Sequence, residues 1–148
     1  MTIKQQLLQI CNEHVEKRIA DYKNEIDLIK ESIESNDKGS SEDDDSGNGK
    51  LLNDLEKNMG YLNEARKTQD YLKLVKANLL STSAALGSLV KTDSLHFFIS
   101  ISVGKIEIDN QDYYAISLQS PIGQLLKQKS AGDTFEFNGT KYTVTEVA

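Results

Sequence analysis

The sequence predicts an α+β protein: a long antiparallel α-helical coiled-coil hairpin, then a small antiparallel β-sheet domain with one short helix. Three observations predict it. Two stretches of about 30 residues carry narrow apolar stripes at helical spacing. The composition switches near Ala84-Ala85-Leu86-Gly87: all four Phe, the one Pro and three of the six Tyr follow it. Beyond the switch, short runs rich in Val, Ile, Thr and aromatics alternate with turn residues.

The first helix is expected over Ile3–Ser35, with a spine of Leu8, Cys11, Val15, Ile19, Tyr22, Ile26, Ile29 and Ile33. The steps of three and four are close to a heptad seam with one stutter near Val15–Ile19. The second helix is expected over Lys50–Leu80, with Leu52, Leu55, Met59, Leu62, Ala65, Leu72, Val75 and Leu79 as its seam. Each would be about 45 Å long at 1.5 Å per residue. One narrow stripe cannot be buried by one helix alone. The polar, Gly/Ser/Asp-rich segment 36–49 between them reads as a turn, so the two stripes pair as a hairpin over 1–82.

The second domain is expected over 87–148. Gly87–Lys91, Phe97–Val103, Lys105–Ile108 and Tyr113–Leu118 read as strands, with a turn at Asn110-Gln111-Asp112. Ser120-Pro121 opens a short helix, Pro121–Lys129, with Ser as N-cap and Pro at its first position. Thr134–Phe137 and Thr140–Val147 form a hairpin around Asn138-Gly139, the preferred type I′ pair.

Composition narrows the function classes. There are 148 residues with 23 acids and 17 bases, a net charge of −6. That excess argues against wrapping duplex DNA, which calls for clustered Lys and Arg. Apolar content of 38% is lean and suits solvated helices. A single Cys excludes a disulfide framework and a Cys-rich zinc site. No apolar run reaches the roughly 20 residues of a membrane span. The N-terminus MTIKQQLLQI lacks a signal-peptide pattern, so a reducing cytoplasm is the expected compartment. The intramolecular hairpin removes the need for a dimer, and a monomer is expected.

Few residues suggest chemistry of their own. Cys11 lies on the seam and reads as a small buried hydrophobe. His14 and His96 have no metal-ligand spacing. Phe97, Phe98, Tyr113, Tyr114, Phe135 and Phe137 read as core at strand spacing, with an aromatic ligand pocket as the alternative. Four consecutive acids, Glu42, Asp43, Asp44 and Asp45, stand in the expected turn. Such a run is either a solvated loop or a hard-cation ligand set. Asp43, Asp45 and Asp54 fall at EF-hand positions one, three and twelve, but Asn48 stands where that loop requires Gly.

Several segments together resemble a known family. They are Gly87-Ser88-Leu89-Val90, Phe97-Phe98-Ile99-Ser100, Tyr114 through Leu126 (YAISLQSPIGQLL), Gly132-Asp133, and Phe137 through Tyr142 (FNGTKY). These resemble the C-terminal domain of the bacterial Gre transcript-cleavage factors. Ile-Ser-x-x-Ser-Pro-Ile-Gly followed by Lys and Gly-Asp is the most specific part. The motif covers about 60 residues, and a helical hairpin ahead of that domain is also the Gre order.

The resemblance implies an FKBP-like C-terminal domain docking at the rim of RNA polymerase's secondary channel, with the hairpin entering the channel. It implies that Ser120, Pro121, Ile122 and Gly123 face the polymerase. Tip acids, here Glu42, Asp43, Asp44 and Asp45, would help hold a second Mg²⁺ at the polymerase active centre, only in the complex, so that backtracked RNA is cleaved from its 3′ end. The factor would be no enzyme by itself, and nascent RNA would be an indirect partner. The family tip carries an Asp and a Glu three positions apart. Counting back from the second helix matches Asp44 to the first and Gly47 to the second. A non-catalytic modulator or inhibitor of polymerase therefore stays open beside the cleavage factor, as does an FKBP-like prolyl isomerase.

Overall fold

The structure is a computed structural model that describes the backbone of residues 1–39 and 45–148 and the side chains of residues 1–36 and 48–148. The elements are α1 (Ile3–Gly39), α2 (Asp45–Leu72), β1 (Leu89–Thr92), β2 (His96–Ile99), β3 (Gly104–Ile108), β4 (Gln111–Ile116), α3 (Pro121–Leu126), β5 (Thr134–Phe137) and β6 (Thr140–Val147). The α+β class is as the sequence predicts. Two compact units form: Met1–His14 with Tyr71–Ala148, and Val15–Asp70.

In the unit Val15–Asp70 the two helices run antiparallel. Tyr22 packs against Tyr61 at 5.6 Å between ring centroids, and Asn36 Nδ2 donates to Asn48 Oδ1 at 3.3 Å. Val15, Ile19, Ile26, Ile29 and Ala65 are buried between them. Both helices run into the segment 36–49 that reads as a turn. Polar Asn, Asp and Lys lower helix propensity only slightly per residue, and pairing of the apolar faces outweighs it.

The α2 seam also differs from the expected one. Leu51, Leu55, Asn58, Leu62, Ala65 and Gln69 recur in strict steps of four and three and are all at least half-buried, whereas Leu52 and Met59 are 54% and 53% exposed. Asn58 is tolerated because its Nδ2 donates to the Asp54 carbonyl of its own helix at 2.9 Å. Asp45 and Asp54 both belong to α2, which excludes an EF-hand loop across them.

In the other unit α2 stops at Leu72, not Leu80. Leu74 and Val75 donate to the Tyr71 and Leu72 carbonyls in tight turns that bury Val75 and leave Leu79 61% exposed. Lys4, itself buried, donates from Nζ to the Leu79 carbonyl at 2.6 Å and fixes the segment after the helix. The start of α1 carries a capping box, with Thr2 Oγ1 accepting from the Gln5 amide at 3.1 Å and Gln5 Oε1 from the Thr2 amide at 2.9 Å. The buried position in this turn of α1 is Leu7, while Leu8 is only half-buried.

The six strands form one sheet in the order β3-β4-β2-β1-β6-β5. It is mixed rather than wholly antiparallel, because β2 and β4 pair in parallel through Phe97↔Tyr114 and Phe98↔Ala115. β3 lies outside β4 at the edge. Gly104, at φ 94°, takes the left-handed backbone at the start of β3. The β3–β4 turn is Asp109-Asn110 at φ 52° and 65°, one residue earlier than expected, and Asn138-Gly139 at φ 51° and 79° forms the predicted I′ turn.

The sheet buries both faces. One carries Ala84, Val90, Phe97, Ile99, Leu126, Phe135 and Val144 in a single apolar cluster. The other presents Leu89, Phe98, Tyr113, Ala115 and Ile106, all buried. Cys11 Sγ lies 3.6 Å from Ser100 Oγ, so the first turns of α1 cover that second face. Among the described residues no helix is long and apolar enough to cross a membrane.

Candidate functional site

The turn Ser120–Gly123 is built by β4, which delivers the chain to Ser117, and by α3, which starts at Pro121. Ser120 has extended backbone (φ −68°, ψ 157°), as an N-cap requires. Its Oγ accepts from the Gly123 amide at 3.1 Å and donates to the Ser117 carbonyl at 2.7 Å. Pro121 at the first helical position needs no amide partner and is exposed.

Gly123 is buried against the chain that leads into the turn. A Cβ there would overlap the Ser117 carbonyl oxygen and lie 2.9 Å from Leu118 Cα. No side chain fits, so Gly at 123 is a structural requirement of this corner, as is the cap that Ser120 supplies. The far end of α3 is tied down as well: Ala84 donates to the Lys129 carbonyl at 2.7 Å and accepts from the Gln128 amide at 2.8 Å. Leu126 is fully buried beneath the helix, while Leu125 is 36% exposed.

Ile122, one helical turn before Leu126 on the same face, packs at the edge of the cluster and lines an open apolar groove of about 270 Å³ beside α3. Phe97, Tyr114, Phe137 and Tyr142 supply its aromatic walls. Phe97 stands 6.2 Å from Tyr114 and 6.4 Å from Tyr142, edge-on to the latter, and Tyr142 stacks on Phe135 at 5.1 Å. Of the six aromatics that read as core, Phe97, Phe98, Tyr113 and Phe135 are buried. Tyr114 and Phe137 are half-buried and open onto the groove. The sequence alone missed Leu95, Ile116 and Tyr142 as groove residues. Alternation along β4 could have found Ile116, two residues from Tyr114 on the same face.

Glu42, Asp43 and Asp44 lie outside the described residues; Asp45 opens α2, and its side chain also lies outside them. Among the described residues no three His, Cys, Asp or Glu could hold a metal ion together. Cys11 is fully buried, and burial pushes its thiol pKa up against the smaller opposing pull of the Ser100 hydroxyl. That makes it a poor nucleophile. His96 sits on β2 opposite Lys91, which pairs with Glu146 at 3.4 Å, and its ring is 5.6 Å from Tyr113. Its Nδ1 is buried with no hydrogen-bond partner among the described residues. Burial first, then the Lys91 charge, holds the imidazole below its ordinary pKa, with Glu146 opposing. It stands half-buried at the edge of the core.

No protein-family model matches the sequence, and no curated protein matches it. Solved structures similar to the fold include that of the transcription factor Gfh1, with TM-score 0.39 and 15% identity over 93% of this chain and 92% of that one. GreA factor homolog 1 (Gfh1) of Thermus thermophilus gives TM-score 0.35 and 17% identity over 93% and 94%. Thermus aquaticus Gfh1 gives 0.34 and 17% over 94% of each chain.

Proposed function

We propose that this protein is a Gre-like elongation factor that binds bacterial RNA polymerase at its secondary channel and stimulates cleavage of backtracked RNA. One observation carries the reading. The run Tyr114–Leu126 with Gly132-Asp133 stands in a sheet unit, and the same chain holds an antiparallel helix pair joined through four consecutive acids, Glu42–Asp45. A narrow two-helix rod suits delivery of carboxylates into a pore, and a separate folded unit suits docking at its rim.

The donor set fits a hard divalent cation. Carboxylate oxygens are what Mg²⁺ takes, and it often uses only one or two from a protein while keeping its waters. When bound, Mg²⁺ supplies charge neutralisation at the phosphate and an acidified water. Glu42, Asp43, Asp44 and Asp45 would hold it together with groups of the polymerase. The rest of the active site belongs to the polymerase, so the factor is an accessory and not an enzyme.

A second reading is favoured by one feature of the sequence. Gly47 stands where the family's second tip acid is matched and offers no carboxylate. A factor with a negative tip but an incomplete ligand set would occupy the channel and modulate polymerase without cleavage.

A stalled, backtracked elongation complex from the same organism separates the readings. Short 3′ RNA fragments released by the wild type and lost in Asp44→Ala/Asp45→Ala are the expected result. Competition for the channel without fragments would replace cleavage by modulation. Absence of polymerase binding overturns both. A proline-peptide isomerisation assay tests the remaining alternative, a prolyl isomerase, for which the aromatic groove of about 270 Å³ beside α3 would be the site.

A further inference from the structure

We draw no further inference here: the strongest candidate, the cavity beside Lys4 at the start of α1, carries nothing because that buried ammonium already donates to the Leu79 carbonyl and no second feature of the cavity points to a ligand.

Discussion

Replacing Gly123 by Ala should unfold the corner on which α3 rests. The added Cβ would overlap the Ser117 carbonyl oxygen and stand 2.9 Å from both Ser117 C and Leu118 Cα. Those are backbone atoms, so no flexible side chain can swing aside. The helix start must withdraw instead, and two things go with it. The Ser120 cap is lost, since its 3.1 Å bond to the Gly123 amide has no slack; a lost N-cap costs about 0.5–2 kcal/mol. The seat of fully buried Leu126 is also disturbed, and forced repacking of that kind costs about 1–3 kcal/mol. Together the loss is roughly 1.5–5 kcal/mol. With a urea slope of about 1–3 kcal/mol per molar, the midpoint should fall by at least about 0.5 M. Gly132→Ala is the control. Unlike Gly123 it has positive φ, 96°, and among the described residues nothing lies within 4 Å of an added Cβ, so it bears only the left-handed strain of about 1–2 kcal/mol. Urea unfolding followed by tyrosine near-UV circular dichroism gives both midpoints. A Gly123→Ala protein as stable as the wild type, or more stable than Gly132→Ala, would refute the packing argument.

Other outcomes follow from the same geometry. Gly60 lies inside α2 with nothing among the described residues within 4 Å of an added Cβ, so Gly60→Ala should stabilise by about 0.5–1 kcal/mol; a lower melting temperature would contradict this. Cys11 in the native protein should react with an aromatic disulfide reagent only as fast as the chain opens, and rapid labelling without denaturant would disprove its burial. For His96 the folded pKa lies below the ordinary 6.5. Between the two values the unfolded chain binds more protons, so this stability is complete above 6.5 and is lost as pH falls through the folded pKa. In thermal melts from pH 7.5 to 5, His96→Gln should therefore decline less than the wild type; parallel declines would show that His96 does not carry the effect.

Much of this fold was legible because its signals are local. Asn138-Gly139 needs only two residues to declare a I′ turn, and Ser120-Pro121 declares a helix start. The α1 spine from Cys11 to Ile33 is readable because its apolar residues recur in steps of three and four among mostly polar neighbours. The α2 seam is harder. Leu51-Leu52 offers two leucines side by side, and the true register places Asn58 where Met59 looks the better core residue. Only the bond from Asn58 to its own helix makes that register acceptable. The end of α2 at Leu72 has no Gly or Pro to announce it. It is set by contacts distant in sequence, above all Lys4 with the Leu79 carbonyl, 75 residues apart. The parallel pairing of β2 with β4 is non-local in the same way. Of the candidate site, the Ser120–Gly123 corner was readable, whereas the groove joins β2, β4, α3 and the β5–β6 turn and exists only once they meet.

The corner's structural role decides how its functional role can be tested. Ser120 spends its hydroxyl on the Gly123 amide and the Ser117 carbonyl. Gly123 is excluded by sterics from being anything else. Loss of partner binding in variants at either position would be indistinguishable from loss of the fold. Pro121 and Leu125 are different, because both are exposed and neither anchors the core. Ile122 is intermediate, since its side chain lines the groove while packing at the edge of the cluster. Exposed surface changes of this kind shift stability by only about 0.5 kcal/mol, so Pro121→Ala and Leu125→Ser should retain the wild-type urea midpoint. If the corner docks on polymerase, these two weaken binding and Gly132→Ala, adjusted for its stability, does not. If all three bind as the wild type does, the contact lies elsewhere, and Ser-Pro-Ile-Gly marks a way of turning a strand into a helix and nothing more.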